Sequence, residues 1–382
     1  MFKGCPECAR EGRKAALEVR YDYSRTPARL PDARQPGLWR WSALLPADWN
    51  YRTSLHEGNT PLAALSGGLL LKNETVNPTW SYKDRANAVS VSMARQFGFT
   101  KVVAVSTGNH GNAASAYASA AGLRCVVFCH EDAGDLQMAL MQQYGATVFR
   151  GGEQDRLVHS LVARGDWFPC AIICPRGGYA NPFGVEGFKT IAFEVVEQLG
   201  GSVPDRVFMP VGSGDGLYGI WKGFTELRRM GRTSRVPRMM ACQAEGANPY
   251  VRAFRERKPR LTAVERGDTV ALSIAEKIGG ETALKAVYES DGAALEVCDR
   301  VILETARAVA REGFALEPAS AAAVACARCF GNPGRDEIWV TIGTGAASKW
   351  PSAVCSGFVR PEKLPDHLDD INRLLEEKEA AT

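Results

Sequence analysis

The sequence predicts a two-domain α/β protein in which open, twisted, mostly parallel sheets carry helices on both faces. Its 382 residues exceed the length of one domain of about 150 residues. From residue 69 onward, short apolar stretches of strand length alternate with longer stretches of helical periodicity. Apolar strands with little alternation are typical of parallel sheets that are covered on both faces. The hydrophobic fraction of 45% and the charged fraction of 23% are those of an ordinary globular chain.

The individual elements follow from this pattern in chain order. Strands are predicted at residues 68–72, 101–106, 124–130, 147–150, 171–174, 206–211, 238–244 and 337–342. Helices are predicted at residues 81–97, 110–121, 135–144, 187–199, 216–230, 298–312 and 319–330. An amphipathic C-terminal helix is predicted from the spacing of Leu368, Ile371, Leu374 and Leu375. Residues 1–50 are rich in Arg, Pro and Trp with little periodicity, so we expect an extension that wraps over the core.

Charge, hydropathy and cysteine usage argue against several classes of function. The formal charge is only +3, so we expect no nucleic-acid partner. No apolar leader and no run of about 18 apolar residues is present, so we expect no membrane association and a cytoplasmic protein. The eleven cysteines are then expected as thiols. The Cys5-x-x-Cys8 motif is only half of a zinc site, so no metal is predicted.

Three loops rich in small residues each follow a predicted strand, at residues 106–112, 212–219 and 341–349. Backbone N–H groups at a helix start bind anions, and open α/β sheets bind ligands where parallel strands end. The loops therefore predict one ligand site at that edge, with ordinary helix capping as the alternative. In the second loop, Gly214-x-Gly216-x-x-Gly219 matches a dinucleotide motif and Glu245 follows the next strand. This match leaves an NAD-dependent dehydrogenase as an alternative function.

Lys83 is the candidate nucleophile. It lies in the first turn of a predicted helix, where the helix dipole disfavours a positive charge. We expect Lys83 to be buried beneath Trp80 and Tyr82 with a lowered pKa, which Schiff-base chemistry requires. A surface lysine paired with Asp84 is the alternative.

These motifs together resemble the fold type II pyridoxal-phosphate enzymes, most closely their threonine synthase branch. The resemblance runs from His56 to about Pro351 and rests on residues 77–85 (Asn-Pro-Thr-Trp-Ser-Tyr-Lys-Asp-Arg), 106–109 (Ser-Thr-Gly-Asn), 181–190, 212–216, 317–321 and 344–345. It implies pyridoxal 5'-phosphate as cofactor, a small amino acid as substrate and a homodimer. It also implies a large cofactor-binding domain of residues 51–84 plus 191–382, a small domain of residues 85–190, and an active site at their interface.

The resemblance further implies roles for individual residues. Lys83 is expected to carry the cofactor and to act as the base at Cα. Asn109 is expected at the pyridoxal 3-oxygen and Thr344 at the ring nitrogen, where a hydroxyl leaves the pyridine uncharged. The cofactor phosphate is expected in the loop formed by Gly212, Ser213, Gly214, Asp215 and Gly216. The substrate is expected at Ser106, Thr107 and Gly108, beneath Trp80.

Two positions depart from the threonine synthase pattern. Trp80 stands where these enzymes have a glycine, and we expect its ring to reduce the space above the substrate. Gly184 stands where they typically have an arginine that holds the substrate phosphate, and glycine provides no such charge. Three cations could substitute for that arginine, namely Arg85, Arg176 and Lys189.

We therefore expect elimination or replacement at the β or γ carbon of a small amino acid. Synthesis of threonine from phosphohomoserine is the possibility that the resemblance names. The two departures instead favour an ammonia-lyase, a dehydratase or a cysteate-synthase-like enzyme acting on a shorter β substituent. A catalytically silent ligand-binding relative is a further alternative.

Overall fold

The computed structural model describes the chain except for residues 1, 3, 11–15, 28–29, 153, 171–180, 266–267, 357, 359, 361–370, 372, 374–375 and 378–382. The described strands are β1 (Leu62–Ala64), β2 (Leu69–Asn73), β3 (Lys101–Val105), β4 (Arg124–Cys129), β5 (Thr147–Arg150), β6 (Phe168–Pro169), β7 (Arg206–Pro210), β8 (Arg238–Ala244), β9 (Ala293–Val297) and β10 (Trp339–Gly343).

The described α-helices are α1 (Pro6–Arg10), α2 (Lys83–Gln96), α3 (Asn109–Ala120), α4 (Asp135–Gln143), α5 (Gln154–Ala163), α6 (Val185–Gln198), α7 (Asp215–Arg229), α8 (Pro249–Arg255), α9 (Glu281–Glu289), α10 (Asp299–Arg311), α11 (Pro318–Phe330) and α12 (Pro351–Val354). Within the described ranges, none of the helices is both long and apolar enough to cross a membrane.

The strands form two sheets. The larger sheet has the order β1-β2-β10-β7-β8-β9, with β1 antiparallel to β2 and every other pair parallel. The smaller sheet has the order β5-β4-β3-β6, and all its pairs are parallel. Because the carboxyl ends of parallel strands meet at one edge, the loops after β3, β7 and β10 are the natural place for a site.

The central strands of both sheets are buried on both faces. Along β7, Val207 and Met209 join the core beneath α6 and α7, whereas Phe208 joins the core beneath α11. Along β3, Val102 packs beneath α2 and α3, and Val103 packs towards α5. Alternate residues of a strand point to opposite faces, so these runs must be apolar throughout. The predicted α/β fold with mostly parallel sheets and helices on both faces is thereby confirmed.

The long apolar elements begin and end within two residues of their predicted limits. Sequence reasoning missed β1, β6, β9, α1, α5, α8, α9 and α12. Four of these, β1, β6, α1 and α12, have two to five residues, too few for a periodic pattern to be distinguished. Length does not explain α5 and α9, which have ten and nine residues, as many as or more than the correctly predicted α4. The predicted strand at residues 171–174 and most of the predicted C-terminal helix lie outside the described residues.

A buried network of charges fixes the start of α2. The Arg85 guanidinium is fully buried and lies between two carboxylates. Its Nε is 2.6 Å from Oε2 of Glu74, and its Nη1 is 2.7 Å from Oε1 of Glu194. Lys72 adds a second cation, with Nζ 2.7 Å from Oε2 of Glu194. The two cations balance the two carboxylates, so no net charge is buried.

We expect Arg85→Met to lower the free energy of unfolding by about 3–5 kcal/mol, because it leaves Glu74 and Glu194 buried without their main partner. Urea unfolding followed by circular dichroism measures the loss. Arg300→Ala is the control, since Arg300 pairs with Glu304 on the exposed surface, and it should leave the unfolding curve unchanged. A loss of less than about 1 kcal/mol for Arg85→Met would show that the network does not stabilise the fold.

Candidate active site

A cavity of about 240 Å³ opens where strands of both sheets end. The smaller sheet supplies residues 105–110, from the last residue of β3 onward, and the larger sheet supplies Pro210, the last residue of β7, and residues 212–217. Thr344, which follows β10, and Lys83, the first residue of α2, also line the cavity. The structure thus brings together eleven of the twelve residues that sequence reasoning assigned to cofactor and substrate, all except Trp80.

The glycine loop of residues 212–216 joins β7 to α7. Gly214 precedes the helix with a φ of +94°, a conformation that side chains disfavour and glycine adopts freely. The Tyr250 hydroxyl shares its one proton between the Ser213 carbonyl at 3.1 Å and the Gly280 carbonyl at 3.0 Å. The Gly280 N–H donates to the same Ser213 carbonyl at 2.7 Å. The loop is therefore held from outside the cavity, while the start of α7 on the cavity wall is suited to bind an anion.

Lys83 forms an ion pair with a carboxylate of this loop. Its Nζ is 2.8 Å from Oδ2 of Asp215 and lies 4.8 Å from the centre of the Tyr82 ring. Burial alone lowers the pKa of Lys83, but the Asp215 carboxylate outweighs it and raises that pKa above its ordinary value. The predicted lowering of the Lys83 pKa is therefore wrong for this arrangement. No local pattern indicates that an acid lies opposite a lysine 132 residues away.

The loop of residues 106–108 leads from β3 into α3. The Gly108 N–H donates to Oγ of Ser106 at 3.1 Å, which fixes the turn before the helix. Thr107 also lines the cavity, beside the N-terminal N–H groups of a twelve-residue helix. This arrangement is suited to a substrate carboxylate. A side chain at Gly108 would meet the ring of Trp350 at 3.3 Å, so this indole borders the same space.

His110 adds a neutral polar group to the wall. Its Nδ1 is 3.2 Å from Nδ2 of Asn87. Burial and the Lys83 ammonium lower the pKa of His110 to about 4, so the imidazole is uncharged at neutral pH.

Glu317 is a cavity residue to which sequence reasoning assigned no role. Its Oε2 accepts hydrogen bonds from Nδ2 of Asn109 at 2.7 Å and from Nε1 of Trp350 at 2.8 Å. Its Oε1 accepts a hydrogen bond from the Thr344 hydroxyl at 2.9 Å. One buried carboxylate thus holds both residues expected at the cofactor ring. The signal that contained it is the segment 317–321 on which the resemblance partly rests, but within that segment Glu317 has the position of an ordinary residue before the proline that begins α11.

Neither the two positions that depart from the threonine synthase pattern nor the described candidate cations line the cavity. Trp80 does not line the cavity, and 42% of its surface is exposed. Gly184 is buried before α6. Arg85 and Lys189 are fully buried in ion pairs with glutamates, and neither lines the cavity. Arg176 lies outside the described residues.

The residues of the cavity fit pyridoxal phosphate. Lys83 offers a primary amine for an aldehyde, and the start of α7 with the Ser213 hydroxyl offers donors for a phosphate. Oδ1 of Asn109 is buried without a partner in the described structure and can accept a hydrogen bond from a phenolic hydroxyl. A Cβ at Gly212 would lie 3.1 Å from the Glu276 side chain, so glycine keeps the cradle open.

Comparison with known sequences points to the same chemistry. The model of a family described as pyridoxal-phosphate-dependent enzymes matches residues 53–345. The chain is 36% identical over 385 residues to a threonine synthase of Methanocaldococcus jannaschii, covering 94% of this chain and 93% of that protein. It is 35% identical over 380 residues to a threonine synthase of Methanosarcina acetivorans, covering 94% and 92%.

Solved structures share the fold. The processed form of threonine deaminase isoform 2 from Solanum lycopersicum superposes with a TM-score of 0.64 at 19% identity, covering 90% of this chain and 100% of that one. An O-ureido-L-serine synthase superposes with a TM-score of 0.62 at 18% identity, covering 80% and 93%. The dehydrogenase alternative is wrong, because the family match spans the 214–219 motif and Glu245 does not line the cavity. The chain belongs to the family of pyridoxal-phosphate-dependent enzymes, and it is a threonine synthase-like member that acts by elimination or replacement at the β or γ carbon of an amino acid.

Proposed function

We propose that the enzyme eliminates or replaces the β substituent of a small amino acid that carries no second anionic group. The observation that supports this is the charge of the cavity. Three carboxylates line it, those of Asp215, Glu276 and Glu317, whereas Lys83 is the single lysine or arginine of the described lining. Because Lys83 is needed for the cofactor, that lining has no further lysine or arginine for a substrate phosphate. A second phosphate beside these carboxylates would be repelled.

Different groups in the cavity perform different parts of the proposed reaction. Bound pyridoxal phosphate supplies the electron sink that makes the Cα proton acidic. Nζ of Lys83 takes up and returns that proton, and the donors at residues 106–108 hold the substrate carboxylate. The Trp350 indole, which is 6% exposed, closes the space beside Gly108 and favours a short side chain.

Threonine synthesis from phosphohomoserine is the second candidate. It is supported by the threonine synthases that match 94% of the chain. The steric argument against it from Trp80 falls away, since that ring does not line the cavity. The reaction needs a cation for the substrate phosphate, and Arg176 is the remaining residue of the three that the sequence offered.

The cytoplasmic location and the homodimer stay predictions. The described cysteines form no disulfide, which supports a reducing compartment. Light scattering of the purified protein measures the oligomeric state.

We expect Lys83→Ala to fold normally but to lose both the absorbance of lysine-bonded cofactor and turnover, because no other amine lies on the described cavity wall. Absorption spectra and circular dichroism test this expectation. Lys285→Ala removes an exposed lysine of α9 and should retain both properties. Lysine-bonded cofactor in purified Lys83→Ala protein would overturn the assignment.

We expect Gly214→Val to weaken cofactor binding much more than Gly201→Val does. Both glycines have a φ of +94°, so both substitutions impose a similar backbone strain of about 1–3 kcal/mol. A Cβ at Gly214 would also meet the Tyr250 hydroxyl and lie 2.6 Å from Cβ of Ala283, whereas nothing lies within 4 Å of one at Gly201. Cofactor titration and urea unfolding separate the two effects. Equal cofactor affinity in both variants would mean that the phosphate site has been placed wrongly.

We expect kcat/KM for β-substituted alanines without phosphate to exceed that for phosphohomoserine by about tenfold or more, the equivalent of one missing charge-assisted hydrogen bond. Steady-state rates with both classes of substrate measure this ratio. The matched variant is Arg176→Ala, which should change neither rate. Efficient threonine formation that Arg176→Ala abolishes would contradict the proposal and establish the second candidate.

A further inference from the structure

A carboxylate lies inside the loop that is suited to the cofactor phosphate. Asp215 is the first residue of α7, lines the cavity and is only 6% exposed. A glycine loop before a helix binds phosphate through its N–H groups, aided by the positive end of the helix dipole. An aspartate at this place carries the same sign of charge as the phosphate. The Asp215 carboxylate therefore weakens phosphate binding by the loop, so we expect it to have a separate role.

The hydrogen bonds of Asp215 indicate that role. Its Oδ1 accepts from the Ser213 hydroxyl at 3.0 Å and from the Gly216 N–H at 2.9 Å. Its Oδ2 accepts from Nζ of Lys83 at 2.8 Å. The carboxylate thus takes two donors that a phosphate in the loop can use, together with the amine that reacts with the cofactor aldehyde.

We propose that Asp215 is a resident anion of the glycine loop, which competes with the cofactor phosphate for the loop donors and holds Nζ of Lys83 as an ammonium. Capture of the cofactor then requires Asp215 to release both the loop and the amine. The inference rests on the proposed role of Lys83 as the lysine that bonds to the cofactor.

Asp215 is the carboxylate that forms an ion pair with Lys83 in the described structure, and the tyrosines and the histidine around it provide no negative charge. Tyr82 precedes α2, Tyr250 belongs to α8 and His110 to α3, and each is neutral at pH 7 because burial raises the pKa of the tyrosines and lowers that of His110. His159 of α5, Glu276 from the segment before α9, and Glu317, whose carboxylate accepts hydrogen bonds from Asn109, Thr344 and Trp350, complete the titratable groups of the described wall. The Asp215 carboxylate is the main group that raises the Lys83 pKa against the effect of burial. Without its charge, burial would lower the Lys83 pKa. The fraction of unprotonated amine at neutral pH would then rise.

The test uses the full-length chain, stripped of cofactor and reloaded, in the wild type and in Asp215→Asn. Asparagine keeps the size of the side chain and removes its charge, and Asp215→Ser is a second variant in case the first folds poorly, since serine is well tolerated at helix starts. The first readout is the rate at which lysine-bonded cofactor forms as a function of pH. The second is the ratio of the dissociation constants of pyridoxal and pyridoxal phosphate, which isolates the contribution of the phosphate.

In Asp215→Asn we expect the pH midpoint of the loading rate to fall by about one unit or more, which corresponds to about ten times more unprotonated amine at pH 7. We also expect the ratio of dissociation constants to rise by about tenfold, because the competing anion is gone. Glu276→Gln is the matched control, since it removes one negative charge from the same cavity but leaves the bonds of Asp215 in place. Its pH midpoint should remain that of the wild type.

An unchanged pH midpoint or an unchanged ratio in Asp215→Asn would overturn the inference. Equal shifts in Asp215→Asn and Glu276→Gln would also overturn it, because they would reflect the total charge of the cavity and not the position of Asp215. These outcomes leave the proposed function intact as long as the wild type bonds its cofactor at Lys83. Loading of the wild type at a different lysine would instead contradict the proposed function itself.

Discussion

The cost of burying Arg85 is the constraint on which the active site depends. A guanidinium removed from water requires close carboxylates, and Glu74 and Glu194 provide them from separate parts of the chain. Glu194 lies on α6, and Glu74 lies just after β2, so the ion pairs join the larger sheet, α6 and the start of α2. Lys83 is two residues before Arg85. The network thereby fixes the amine at the edge where the strands end.

The electrostatics of the cavity depend on a second buried ion pair, in which a carboxylate compensates the charge of Lys83. Lys83 lies at the positive end of α2 and is partly buried, so it needs an anion, and Asp215 at the start of α7 supplies one. The buried Glu317 carboxylate is stabilised by hydrogen bonds from the Asn109 amide and the Thr344 hydroxyl. The result is a site whose described residues are richer in carboxylates than in cations. Such a site is suited to a substrate whose only anionic group is its α-carboxylate.

The parts of this account that the sequence could predict are those determined by short-range patterns. Strands buried on both faces and long helices are encoded by local hydropathy, and Lys83 stood out through its helix-start position and neighbouring aromatic residues. The pairing of Lys83 with Asp215 joins two distant loops, so no local pattern could indicate it. Trp80 was assigned to the substrate from the family resemblance, but its backbone has a positive φ of 60° and its side chain is exposed. Glu317 acts through contacts with three different segments, and only the folded chain brings those together.

The central claim is that the chemistry takes place at Lys83, and identifying the modified lysine tests it most directly. The holoenzyme is reduced with borohydride, digested, and its peptides are mapped by mass spectrometry. We predict a single modified lysine, Lys83. Lys349 is the rival within the described structure, because it is buried close to the site, donates to the Thr79 carbonyl at 2.7 Å, and has a pKa that burial lowers to about 8. Modification at Lys349, or at any lysine other than Lys83, would contradict the account.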